Sequence, residues 1–152
     1  MERKKYELTE ECKEHFGRKL YRIKALIDFG DVKTGDLGGY IESENNLSHN
    51  DNCWVFGDAE VCGNAWVYGD ARVFGDAEIR VCADYTTIKG FGTECRNTTF
   101  FRCKDGAVRV KCGCFYGTIE EFRTQVNNTR DGKIAKEYLM IADLMEYHFA
   151  KE

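Results

Sequence analysis

Small and β-branched apolar residues recur at every sixth position between residues 52 and 84. The small residues are Cys53, Ala59, Ala65, Ala71 and Ala77, and the branched residues are Val55, Val61, Val67, Val73 and Ile79. Because side chains alternate across an extended chain, two columns that lie two residues apart point to the same face. Gly-Asp or Gly-Asn steps, which favour turns, separate the units. The pattern therefore predicts short strands with one apolar face and a corner in every unit.

Strands this short cannot form an ordinary hairpin sheet, but they can coil into a parallel β-helix. The units NCWVFG, DAEVCG, NAWVYG and DARVFG resemble the hexapeptide repeat of left-handed β-helix proteins. That resemblance implies three units per coil and stacked partners roughly 18 residues apart. The stacked pairs would be Phe56 with Phe74, Trp54 with Arg72, Val55 with Val73 and Glu60 with Glu78. We predict a mainly β fold built around a short left-handed parallel β-helix at residues 35–84.

The flanking segments predict two further units. Residues 1–34 contain strand-like stretches at 5–8 and 20–27, which would form an N-terminal β-hairpin cap over the start of the repeat. Residues 85–152 lack the sixfold period and predict a small C-terminal α+β domain of three strands and two helices. Its strand-like stretches are 85–90, 97–104 and 107–114, and its helices start at the Thr118 capping box and at Lys133.

Composition narrows the class of protein. The chain has 152 residues and a formal net charge of -4, which argues against general nucleic-acid binding. Its N-terminal residues have no apolar core of the kind that a secretory signal needs, and no apolar run is long enough to cross a bilayer. These features predict a cytoplasmic protein without a membrane segment.

The eight cysteines are many for a chain of this size. In the expected cytoplasmic setting disulfides are disfavoured. Cys95, Cys103, Cys112 and Cys114 lie closest together, but their spacing is not that of a zinc knuckle or ribbon. We predict structural cysteines and no bound metal or other cofactor, with a metal site or a redox role as the alternatives.

Three stretches together carry a wider resemblance. The start GDLGGYIESENNLS, the repeat itself and the tail VKCGCFYGTIEEF resemble a group of hexapeptide-repeat proteins associated with bacteriophages and prophages. That resemblance implies the β-helix fold and a phage context, and it supplies no activity. In such a context a small protein is expected to bind and block a host defence component, or to sequester its signal.

Acyl transfer is the enzymatic alternative, because many hexapeptide-repeat proteins transfer acyl groups from coenzyme A and use a histidine as general base. The chain has His15, His49 and His148, and of these only His49 lies near the repeat. A γ-type carbonic anhydrase would need three zinc histidines, which the repeat does not supply. We predict no catalytic set, and a coenzyme A-dependent acyltransferase with His49 as base is the main alternative.

Large side chains occupy the other face of the repeat, which points away from its core. They are Trp54, Phe56, Trp66, Tyr68, Arg72 and Phe74. Exposed aromatic surface of this extent needs a cover, for which the candidates are the C-terminal domain, a second copy of the chain or a foreign partner. Because left-handed β-helix proteins are often trimers, we predict a homo-oligomer, either a dimer or a trimer.

A second candidate binding set is basic and lies in the last hairpin. It consists of Arg102, Lys104, Arg109 and Lys111, which alternate on two strands and would share one face across the Asp105-Gly106 turn. Such cations beside aromatic rings can hold a phosphate or a nucleotide. The alternative is a solvated sheet face whose partners are Glu120, Glu121 and Asp131.

These ten candidate residues predict a non-enzymatic binding or inhibitor protein. Its partner would be a host protein, which it blocks, or a small anionic nucleotide signal, which it sequesters. A structural assembly module is a third possibility, after the acyltransferase.

Overall fold

The computed structural model of the chain describes residues 4–15, 17–94 and 96–150. Within these residues the chain forms eleven β-strands, two α-helices and two short 3-10 turns. The strands are β1 Tyr6–His15, β2 Arg18–Ala25, β3 Leu37–Ile41, β4 Trp54–Val55, β5 Glu60–Val61, β6 Arg72–Val73, β7 Glu78–Ile79, β8 Tyr85–Phe91, β9 Arg96–Arg102, β10 Val108–Cys112 and β11 Phe115–Thr118. The helices are α1 Ile119–Thr129 and α2 Gly132–Phe149, and the 3-10 turns are Glu44–Asn46 and Cys82–Asp84.

The predicted fold class, a short left-handed parallel β-helix, is wrong. The described strands form three separate sheets. One is a mixed sheet in the order β1-β2-β3-β5-β7, one is an antiparallel sheet in the order β11-β10-β9-β8, and one is the parallel pair β4-β6. The physical reason is that β3 pairs antiparallel with the hairpin strand β2, so the repeat continues a mixed sheet, and its own strands are only two residues long.

The local pairing within the repeat does follow the predicted 18-residue register. Trp54 pairs with Arg72 and Glu60 with Glu78, both in parallel. The glycines that end the units adopt positive φ angles, from 58° at Gly57 to 66° at Gly69, a conformation that favours glycine at each corner. The small and branched columns are buried, as predicted, and form the first hydrophobic core.

The N-terminal hairpin is longer than the sequence predicted. Strand β1 continues through residues 10–15, well beyond the strand-like stretch at 5–8, and a bulge interrupts its pairing with β2 between Leu8 and Cys12. Tyr6 and Ile23 contribute to the first core, so the hairpin packs as part of the same body as the repeat.

The C-terminal segment contains four strands and two helices, where the sequence predicted three strands. The additional strand is β11, which leads directly into the Thr118 capping box at the start of α1. Neighbouring residues of β9 serve two cores: Phe101 packs in the first core with the repeat, and Phe100 packs against α1 and α2 in a second core. The antiparallel sheet therefore has the repeat on one face and the helices on the other.

Neither helix of the described chain combines the length and the apolar character that a membrane span requires.

Candidate anion-binding cleft

A cleft of about 270 Å³ lies where the repeat meets the antiparallel sheet. The side chains that matter for its chemistry are Asp31, Asn52, Phe56, Asp70, Arg72, Arg96, Asn97 and Lys111. Phe56 and Arg72 come from the repeat, whereas Arg96, Asn97 and Lys111 come from β9 and β10. The backbone N–H of Arg72 donates to the hydroxyl of Thr99 over 3.2 Å, which joins the two sides of the cleft.

Stacked phenylalanines support the cations of the cleft. Phe56 and Phe74 lie 18 residues apart in the repeat, with ring centroids 4.0 Å apart and an interplanar angle of 7°. The Arg72 guanidinium lies 5.2 Å from the Phe56 centroid and 5.4 Å from that of Phe74. The Lys111 ammonium lies 4.8 Å from the Phe74 centroid. Cation–π attraction of this kind contributes roughly 0.5 to 2 kcal/mol per contact.

Lys111 is the least compensated cation of this group. Burial lowers its pKa from the ordinary lysine value, and the nearby positive charge of Arg72 lowers it further. Arg72 itself is paired with Asp31 at 2.9 Å, and Arg96 is paired with Glu94. Within residues 4–15, 17–94 and 96–150, no carboxylate lies within ion-pair distance of Lys111. A bound anion would supply the charge that this arrangement lacks.

Gly113 makes room for Arg96 in the cleft. It has a φ of 58°, and a Cβ at this position would lie 1.9 Å from the Arg96 guanidinium. Any larger residue would therefore displace the end of the Arg96 side chain and would also strain the backbone. No sequence pattern points to Arg96 or Asn97, because only the packing of β9 against the repeat brings them beside Arg72.

Trp54 does not belong to a binding surface, although its position in the repeat predicted an outward side chain. It is only 1% exposed. Its ring packs edge-on against Phe29 at 5.2 Å and against Tyr6 at 6.2 Å. The cover is the N-terminal segment of the same chain, which was not among the predicted covers.

The four cations of the last hairpin do not share one face, so the geometry expected for this candidate set is wrong, whereas a binding role for its residues stays a prediction. The register pairs Val108 with Arg102 and Phe101 with Arg109, which puts the two arginines on opposite faces of the sheet. Three of the four have carboxylate partners: Arg102 with Asp84, Lys104 with Glu60 and Arg109 with Asp105. Only Lys111 lines the cleft.

Trp66 and Tyr68 form a separate exposed pair. Their rings stack with centroids 4.5 Å apart, and they are 48% and 52% exposed. The Tyr85 hydroxyl donates to the Trp66 carbonyl over 2.5 Å, which holds the backbone beneath the pair. Whether a second copy or a foreign partner covers this surface stays a prediction.

Both ring nitrogens and one face of the His49 ring have contacts within the chain. Its Nδ1 accepts from the backbone N–H of Lys5 over 3.1 Å, its Nε2 lies 2.8 Å from a Glu44 carboxylate oxygen, and its ring stacks on Tyr6 at 4.1 Å. A general base needs a nitrogen that can accept a substrate proton. Both ring nitrogens of His49 already have partners, which favours a structural role.

The described cysteines are free thiols, and three of them are buried: Cys53, Cys62 and Cys103. Burial raises the pKa of each, that of Cys103 to about 11, so the reactive thiolate is disfavoured. Cys95 lies outside the described residues. The arrangement agrees with structural cysteines.

No protein-family model matches this chain, and no curated protein matches it. The resemblance to phage and prophage hexapeptide-repeat proteins therefore stays a prediction.

Proposed function

We propose that this protein is a non-enzymatic binding protein whose cleft holds a small anion that carries an aromatic ring, such as a nucleoside phosphate. The observation that carries the proposal is Lys111, a partly buried ammonium whose pKa is lowered by burial and by the positive charge of Arg72, and which has no carboxylate within ion-pair distance among the described residues. Like charges brought together away from water destabilise an empty site and favour an anion.

The other cleft residues suit the two parts of such a ligand. Arg72 offers a planar set of donors that matches phosphate geometry, and Lys111 offers a point charge. Asn52 and Asn97 add amide groups that can form hydrogen bonds with a ring or a sugar. Phe56, already stacked on Phe74, offers a rigid aromatic wall, and stacking of a base on such a ring contributes roughly 1 to 3 kcal/mol.

Sequestration of a nucleotide signal is the role that we infer for this site, in keeping with the predicted phage context. Coenzyme A also carries a nucleotide and phosphates, so the acyltransferase alternative would use the same electrostatics. Acyl transfer additionally needs a base, and His49 is engaged by Lys5 and Glu44. A binding role without turnover is therefore the function that the residues support best.

Binding of a nucleoside monophosphate should depend on Lys111. We expect adenosine monophosphate to bind more tightly than inorganic phosphate, and Lys111→Met to weaken its affinity at least tenfold, because a charge-assisted contact contributes about 1.5 to 3 kcal/mol. Isothermal titration calorimetry measures both. The matched control is Lys136→Met, which removes an exposed lysine of α2 that does not line the cleft.

Equal affinities of the two variants would contradict the proposed site, and so would the absence of any saturable binding to the unaltered protein. Hydrolysis of acetyl-coenzyme A, or its consumption with an amine acceptor, would contradict the non-enzymatic role while leaving an anion site intact. The two parts of the proposal can therefore fail separately.

The same lysine should lower the stability of the ligand-free protein. Because burial and Arg72 both disfavour its charge, Lys111→Met should raise the free energy of unfolding by about 0.5 kcal/mol or more. Urea unfolding without added anions measures this difference. Phosphate or a nucleotide should stabilise the unaltered protein and have little effect on the variant, and the opposite order would contradict the electrostatic argument.

A further inference from the structure

Two glutamates lie side by side on neighbouring parallel strands, away from the cleft. Glu60 of β5 pairs in register with Glu78 of β7. Glu60 is 3% exposed and the Glu78 side chain is 15% exposed. Like charges directly across a strand pair are destabilising unless cations or another ligand compensate them.

Each carboxylate has one oxygen held by cations. Oε2 of Glu60 lies 2.6 Å from the Lys13 ammonium and 2.8 Å from that of Lys104. Oε1 of Glu78 lies 2.5 Å from the Arg80 guanidinium. These contacts orient the carboxylates and direct their other oxygens toward one point.

The other two oxygens converge on the imidazole of His15. Nε2 of His15 lies 3.0 Å from Oε2 of Glu78 and 3.7 Å from Oε1 of Glu60. A nitrogen of the Arg80 guanidinium lies 3.4 Å from the same Nε2, so Arg80 would have to move aside when an ion binds. One ligand atom from each of the three residues lies within 4.8 Å of the others. Oε1 of Glu60 is fully buried, and no hydrogen-bond partner for it exists in the part of the chain that the structure describes. A buried carboxylate oxygen without a partner is costly unless something binds it.

We propose that His15, Glu60 and Glu78 form a binding site for a divalent first-row transition metal ion. One imidazole nitrogen and two carboxylate oxygens are a mixed donor set that suits such ions, whereas magnesium and calcium prefer oxygen ligands alone. The cations that hold the outer carboxylate oxygens play the orienting part that second-shell groups play around metals. Because these cations also offset the carboxylate charges, the site binds more weakly than one with unpaired carboxylates.

The ion would connect parts of the sheet that are not direct neighbours. His15 ends β1, which is one edge of the five-stranded sheet, whereas Glu78 belongs to β7 at the other edge. The end of β1 reaches both glutamates through Lys13 and His15, and the Lys13 ammonium also lies 4.1 Å from the Tyr40 ring centroid. Metal binding here should therefore raise the thermal stability of the whole chain.

Titration with Co²⁺ tests the site, because its spectrum separates thiolate ligands from nitrogen and oxygen ligands. We expect one ion per chain, visible d–d absorption without a sulfur-to-cobalt charge-transfer band, and a higher melting temperature. His15→Ala should weaken binding at least tenfold. The matched control is His148→Ala, which removes a histidine whose Nε2 contacts only the Ala83 carbonyl in the described structure and should leave binding unchanged.

Three results would overturn the proposal: no binding of Co²⁺ by the unaltered protein, binding of equal strength by the His15→Ala variant, or a spectrum dominated by thiolate ligation. If His15→Ala does not fold, Glu78→Gln takes its place, because it retains the volume of the side chain. The proposal then requires the same loss of affinity from Glu78→Gln, and unchanged affinity would overturn it.

Discussion

Replacing Trp54 by alanine should lower the free energy of unfolding by about 3 to 5 kcal/mol, the usual range for a buried tryptophan. Its ring is fully enclosed between Tyr6 and Phe29, within the same core as Val55 and Val73. The loss combines the transfer of a large apolar side chain to water with the cavity left under the N-terminal segment. Urea or thermal unfolding measures it directly.

Trp66→Ala is the matched control, because it removes the same side chain from a position that is 48% exposed. We expect a smaller loss, about 1 to 2 kcal/mol, from the stacking on Tyr68 and from the half of the side chain that is buried. If the two variants lost similar amounts of stability, the N-terminal cover over Trp54 would be absent in solution. If Trp66→Ala instead reduced a measured oligomer mass, the exposed pair would be a contact between copies of the chain.

The repeat predicted its own register and failed to predict the fold around it. The pairing of Trp54 with Arg72 depends only on the sixfold spacing and on glycines that accept positive φ, both of which are visible in the sequence. The sheet order depends on β3, which lies between β2 and β5 and pairs antiparallel with β2 and parallel with β5. That choice is made by tertiary contacts of the N-terminal hairpin, for which no periodic signal exists.

The candidate site was also predicted only in part from the sequence. The spacing of the repeat brought Phe56, Phe74 and Arg72 to one face, and the structure keeps them together. The basic hairpin failed because alternation within each strand does not say which residues are opposite across the turn. Because Val108 lies opposite Arg102, the side chains of Arg102 and Arg109 point to opposite faces of the sheet. A register shifted by one residue would have placed both arginines on the same face.

Lys5 is a buried ammonium that the sequence did not single out. It is 1% exposed, and it donates to the carbonyls of Cys53, Asp51 and Asn50 at 2.7, 3.3 and 3.4 Å. Its charge lies 4.7 Å from the Phe29 ring centroid. Asp51 has a φ of 57°, so the carbonyls that Lys5 binds belong to a loop held in an unusual conformation.

Lys5→Ala should therefore lower the free energy of unfolding by roughly 2 to 4 kcal/mol, from unpaired buried carbonyls and the lost packing of the side-chain stem. Lys5→Met keeps most of that packing and should recover part of the loss. The control is Lys4→Ala, at an exposed neighbour whose contact with Glu44 spans 3.5 Å and contributes little. An equal effect at positions 4 and 5 would contradict the buried position of Lys5.

The pH dependence gives an independent test of the same burial. Desolvation lowers the pKa of Lys5 below the ordinary value of 10.5, and its interactions with Cys53 only partly oppose that shift. Between the lowered folded-state pKa and 10.5 the unfolded chain holds more protons at this site, so the contribution of Lys5 to stability rises with pH. The stability difference between the unaltered protein and Lys5→Met should consequently move in favour of the unaltered protein as the pH rises toward 10.5. Other groups titrate in both proteins and largely cancel in this difference, so a flat or falling difference would mean that the ammonium is solvated rather than buried.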